Sequence, residues 1–130
     1  MNETTNTLQG AAALLTDDQR ARLLKNGREN TERINEDGNT RDCWPVVKLF
    51  CPWGAATWLL TEIDPDEPDI AFGLCDLGFG CPELGSVRLS ELAAVCGPGG
   101  LTIERDQHFT ATKSLSAYAD EARQHGRIVA

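Results

Sequence analysis

The sequence predicts an α+β fold in which an antiparallel sheet carries its helices mainly at the two ends of the chain. Three observations predict it. Apolar, β-branched runs follow one another between residues 46 and 89, separated by turns rich in glycine and proline. No helical stretch long enough for a parallel crossover lies between them. Helical periodicity is confined to the start and end of the chain, with one short helix near residue 90. A length of 130 residues, 41% hydrophobic and 25% charged, supports one core and therefore one domain, over 14–130.

The elements follow in order. Residues 1–13 are polar and then alanine-rich without apolar periodicity, so they read as a flexible arm. Thr16-Asp17-Asp18-Gln19 is a capping box, in which the threonine hydroxyl and the glutamine amide satisfy each other's backbone N–H. Asp17 and Asp18 suit the positive end of the helix dipole, and Gly27 offers a stop, which predicts a helix over 16–27. Residues 28–42 are polar throughout and read as an exposed connection.

Val46–Cys51 is the first strand, Pro52-Trp53-Gly54 its turn, and Ala56–Ile63 the antiparallel return. Period-two alternation places Trp58 on one face with Leu60 and Glu62. Residues 64–69, with two prolines and four carboxylates, form a loop. Ile70–Leu77 is the third strand, 78–85 a glycine-rich turn and Ser86–Leu89 a short fourth strand. Ser90 caps a helix over Glu91–Cys96. Leu101–Glu104 and Gln107–Thr110 are extended segments. Leu115, Tyr118, Ala119 and Ala122 recur at helical spacing, giving a helix of about 115–125 that ends at Gly126.

Charge narrows the function. The net charge is −8, and residues 42–91 hold nine acids against two bases, Lys48 and Arg88. Such a surface repels phosphates, so direct duplex DNA binding is not expected. A basic protein partner suits it. No run is long and apolar enough to span a membrane, and the first residues lack the basic start of a secretion signal, so a cytoplasmic protein is expected. Five cysteines, Cys43, Cys51, Cys75, Cys81 and Cys96, are odd in number and irregular in spacing. They read as reduced thiols, mostly small buried hydrophobes.

Specific chemistry finds little support. Asp64, Asp66, Glu67 and Asp69 are oxygen ligands at short spacing, and Glu62, Asp76 and Glu83 are candidates to converge on a divalent cation. The loop nevertheless lacks the glycine and glutamate of a calcium-binding hand. There is no Cys-x-x-Cys pair for zinc, no nucleophile elbow and no phosphate loop. A Cys75–His108 dyad has no support beyond residue type. Trp44, Trp53 and Trp58 lie within fifteen residues of one another. Trp53, at a hairpin tip, reads either as an exposed interface anchor or as a cap folded back on the core.

The runs Pro45–Phe50, Gly54–Glu62, Asp64-Pro65, Asp69–Gly78 and Pro82–Gly85 resemble a bacterial family of small proteins of unknown function, found on plasmids and other mobile elements. The likeness continues from about Leu14 through Arg105-Asp106, His108-Phe109 and Leu115–Ala119. The polar stretch 28–42 and the cysteines at 43, 51, 81 and 96 depart from its pattern. The family implies a context and no catalytic residues. In that context the favoured expectation is a non-enzymatic, acidic binding protein acting against a host defence complex, restriction or CRISPR, by protein contact or DNA mimicry. Trp53, Asp64, Asp66, Glu67 and Asp69 would carry the contact, without a cofactor. The alternatives are a metal-dependent enzyme on nucleic acid or nucleotides, with Glu62, Asp76 and Glu83 on the cation and Lys48 on phosphate, and an accessory of plasmid maintenance or transfer.

Overall fold

Residues 14–130 are described in a computed structural model; the arm expected at 1–13 lies outside them. The elements are α1 (Asp17–Asp37), β1 (Val47–Phe50), β2 (Thr57–Ile63), β3 (Ile70–Asp76), β4 (Glu83–Arg88), α2 (Leu89–Ala94), β5 (Glu104–Arg105) and α3 (Leu115–His125). The strands form one antiparallel sheet in the order β4-β3-β2-β1-β5. Four strands meander, and the two-residue β5 returns to close the free side of β1. The fold is α+β, as predicted.

The sheet is buried on both faces. On one, Val47, Leu49, Trp58, Leu60, Ile63 and Ala71 pack with Leu23 of α1 and with Leu89 and Leu92 of α2. On the other, Leu59 and Leu74 pack against Leu115, Tyr118, Ala119 and Ala122 of α3. That double burial explains the nearly unbroken apolar sequence of β2, since each large aliphatic group removed from water contributes about 1.5–3 kcal/mol. The alternation breaks once. Leu60 faces Gly73 but the next pair is Glu62 with Phe72, so Thr61 is the extra residue of a bulge. Past the bulge, Ile63 joins the cluster of Trp58 and Leu60, and Glu62 does not, contrary to simple alternation.

Helix α1 starts at its predicted capping box, with Thr16 Oγ1 accepting from Gln19 N and Gln19 Oε1 from Thr16 N. It does not stop at Gly27. It runs ten residues further and ends at Gly38, whose φ of 78° supplies the left-handed cap. Gly27 is needed for another reason: α1 crosses β2 so closely that a Cβ there would overlap the Ile63 carbonyl oxygen and lie 2.9 Å from its carbon. The first ten residues of the predicted polar connection are therefore helix. Asn26 Nδ2 donates to the bulge carbonyl of Thr61 (2.9 Å), and Asn30, itself buried, donates to Glu62 Oε1 (2.9 Å).

Further details differ from the sequence reading: β4 begins at Glu83, inside the stretch read as a turn, α2 lies two residues earlier than Glu91–Cys96, and of the five cysteines Cys43 alone is buried. Ser90 lies inside α2 rather than capping it, because the cap comes from the β2–β3 loop: Asp69 Oδ1 accepts from Ser90 N and Asp69 Oδ2 from Ser90 Oγ. Gln107–Thr110 is no strand, because Asp106 folds it into a turn, accepting from His108 N (2.9 Å). Helix α3 keeps its predicted bounds, with Ser114 as N-cap and Gly126 as left-handed C-cap.

Candidate functional site

The meander puts the β2–β3 loop and the start of α2 at one end of the sheet, and the β1–β2 and β3–β4 turns at the other. This separates residues that were expected to act together. Trp53 lies in the β1–β2 turn, and the loop carboxylates lie beyond the seven residues of β2, roughly 23 Å away. Its indole is half-buried and packs on Gly97, where a Cβ would fall 2.5–2.7 Å from three ring carbons. Trp53 is thus the cap folded back on the core.

The four loop carboxylates divide into two pairs. Arg88 of β4 ion-pairs with Glu67 (3.1 Å) and Asp69 (3.8 Å), and Asp69 also caps α2. These two are structural acceptors. Asp64 and Asp66 have no ion pair among the described residues; Asp64 Oδ1 accepts from Asp66 N (2.9 Å), which shapes the turn. Together with Glu62 they line a groove of about 420 Å³ between the second half of α1 and the end of the sheet. Its apolar lining includes Ile34, Pro65, Ile70 and Phe72, and among the described residues no lysine or arginine lines it. Burial, with a smaller push from the charge of Asp64, raises the Glu62 pKa above the usual carboxylate range, against the hydrogen bond from Asn30.

The alternative cation set is not brought together. Glu62 pairs with Phe72 and Asp76 with Thr57, so these two carboxylates lie about 13 Å apart along the ladder. Asp76 is buried with both oxygens engaged, accepting from Gly78 N (2.8 Å) and Ile128 N (3.0 Å). Glu83 is exposed on the edge strand. Among the described residues no three His, Cys, Asp or Glu side chains converge as metal ligands. Lys48 pairs with Asp106 (3.4 Å) and donates to the Ala130 carbonyl oxygen (2.7 Å). Cys75 and His108 are kept apart by β2 and β1, and burial raises the Cys75 pKa, which disfavours its thiolate.

Residue patterns also left features unseen. Phe79, 83% exposed, and Leu77 project from the β3–β4 turn, and Trp44, 55% exposed, borders a cleft beside α1. No helix of the described residues is long and apolar enough to cross a membrane.

Fold and site together define a class: an α+β protein whose antiparallel sheet is covered on both faces and whose sheet end carries an acidic groove. The family is more particular. Residues 14–129 match the family described as Protein of unknown function (DUF2958), and the chain belongs to it, as the sequence motifs led us to expect. Neither the curated proteins nor the solved structures contain a match to the chain.

Proposed function

We propose that this chain is a non-enzymatic binding protein that accepts a basic segment of a partner protein in the acidic groove. The observation that carries the reading is the division of the loop: Glu67 and Asp69 are spent on Arg88 and α2, whereas Glu62, Asp64 and Asp66 line a groove without a cation. A lysine or arginine stem would lie along Ile34, Pro65 and Phe72 while its charged end meets the carboxylates. Burial disfavours the charged form of Glu62, and a cation in the groove offsets that penalty. We read the partner as the basic, nucleic-acid-binding surface of a host defence complex, restriction or CRISPR, for which an acidic protein competes with DNA.

The test uses purified protein immobilised and exposed to lysates of hosts that carry such systems, at low and moderate salt. The control carries Asp64→Lys and Asp66→Lys. A defence subunit held by the native protein, released by salt and not held by the variant, and bound again when both are purified, supports the reading. A partner held equally by both proteins removes the groove from it, and the absence of any defence subunit removes the counter-defence role in those hosts.

A further inference from the structure

A second cleft, of about 450 Å³, lies at the other half of α1 and has the opposite chemistry. One wall is the helix face of Arg22, Lys25 and Asn26, which the i, i+3, i+4 spacing brings together. The other is the segment from Arg41 to Val46, with Trp44 at its rim. Three cations and one carboxylate, Asp42, thus line one cavity in a protein of net charge −8. Its size falls in the range of small-molecule sites, roughly 300–1,000 Å³.

The second wall is held from both sides. Asn30 Oδ1 accepts from Arg41 N (2.8 Å), tying it to α1, and the Cys43 carbonyl accepts from Leu115 N (2.9 Å), tying it to α3. Trp44 stays exposed on this pinned backbone, and its indole N–H has no partner among the described residues. A large aromatic surface held open on a fixed support is arranged for stacking at small entropic cost.

Two acids nearby, Asp42 and Glu29, offset part of this charge and leave Arg22 and Lys25 to a ligand. Asp42 turns to α3, where it accepts from both the N–H (3.1 Å) and the hydroxyl of Ser116. Glu29 pairs with Arg41 at 3.5 Å, and Arg41 also donates to Asn26 Oδ1 at 3.2 Å, which fixes its guanidinium at the cleft. Arg22 and Lys25 have no ion pair among the described residues. The cavity therefore calls for a ligand with negative charge at one end and a flat ring at the other.

We propose that this cleft binds a mononucleotide, its base stacked on Trp44 and its phosphates held by Arg22, Lys25 and Arg41. Bare phosphate would leave the indole unused, and an aromatic without charge would leave the cations unmet. The site uses residues of α1 other than those that line the acidic groove.

The experiment titrates the full chain with ATP by calorimetry and by tryptophan fluorescence, with adenosine, tripolyphosphate and a short single-stranded oligonucleotide as comparison probes. ATP is expected to bind saturably and to quench tryptophan emission, more tightly than adenosine or tripolyphosphate. Arg22→Glu with Lys25→Glu should weaken ATP binding by at least about tenfold. Trp44→Ala should weaken it by roughly tenfold while leaving tripolyphosphate unaffected. The two arms stand separately, so a variant that fails to fold leaves the other decisive. Absence of saturation by about 1 mM ATP overturns the proposal. Tripolyphosphate binding as tightly as ATP, ATP affinity unchanged in a folded variant, or binding of the oligonucleotide alone overturns it too.

Discussion

Gly27→Ala is the most informative single substitution, because two general rules give it opposite signs. In an exposed helix interior the change stabilises by about 1 kcal/mol, since alanine is the better helix former. At the crossing of α1 over β2, the new methyl would overlap the Ile63 carbonyl oxygen, a backbone atom that cannot swing aside. Overpacking of this kind costs about 1–3 kcal/mol. The helix must lift, which loosens the hydrogen bonds from Asn26 to Thr61 O and from Asn30 to Glu62, both 2.9 Å, at about 1 kcal/mol each. Set against the propensity gain, the net loss is about 2–4 kcal/mol, a large share of a typical total of roughly 5–15 kcal/mol. Urea unfolding with an unchanged m-value should show it as a midpoint lower by about 1–2 M. A variant as stable as the native protein, or more so, would refute the close crossing and return Gly27 to the role of an ordinary helical glycine.

The loop should show the same division by mutation. Asp64→Lys with Asp66→Lys removes one exposed turn hydrogen bond and should cost no more than about 1 kcal/mol, whereas Asp69→Ala, which uncaps α2, should lose about 1–2 kcal/mol by denaturant unfolding. Asp76→Ala strands the amides of Gly78 and Ile128 and should cost about 2–3 kcal/mol, with faster hydrogen exchange at Ile128. The Glu62 pKa is raised on folding, so its contribution is fully present below the unfolded value of about 4.3 and is lost as pH rises through the folded value. Glu62→Gln should remove that loss: the variant gains on the native protein as pH rises from about 4 towards neutrality, and superimposable pH profiles would refute the assignment. Asp42 has the opposite sign: burial pushes its pKa up, but the hydrogen bonds from Ser116 and Ser114 outweigh this and leave it lowered. Its stabilisation is therefore lost in acid, and Ser116→Ala should shift acid unfolding to higher pH.

Local signals were legible in the sequence where the deciding partner lies within a few residues. The capping box at Thr16, the stop at Gly126, the meander and the proline-bounded loop all rest on short-range chemistry. The misreadings share a different cause. Gly27 carries the local mark of a helix end, and only the distant Ile63 carbonyl shows why a glycine is there. Ser90 is a good cap by residue type, yet Asp69, 21 positions earlier in the chain, supplies the acceptors. The four loop carboxylates read as one set because nothing local tells which of them Arg88 neutralises. The basic cleft leaves no mark in the sequence, since the six bases and seven acids of residues 1–41 nearly cancel. A helix sorts those charges by face.

That sorting makes α1 the wall of both proposed sites. Its first half offers Arg22, Lys25 and Asn26 to the basic cleft; its second half offers Gly27, Thr31 and Ile34 to the acidic groove. Between them Asn26 and Asn30 hold the helix to the bulge of β2, and Asn30 also holds the segment that carries Trp44. A helix of 21 residues with a mostly polar exterior draws little from its own propensity. Its position depends on these few contacts and on Leu23 in the core. The bulge at Thr61 therefore shapes the walls of both cavities: it frees the carbonyl that Asn26 uses and turns Glu62 away from the core towards Asn30 and the groove. A lift of α1 at Gly27 must then disturb both cavities, whereas the charge variants at Asp64 and Asp66, or at Arg22 and Lys25, should each disturb one.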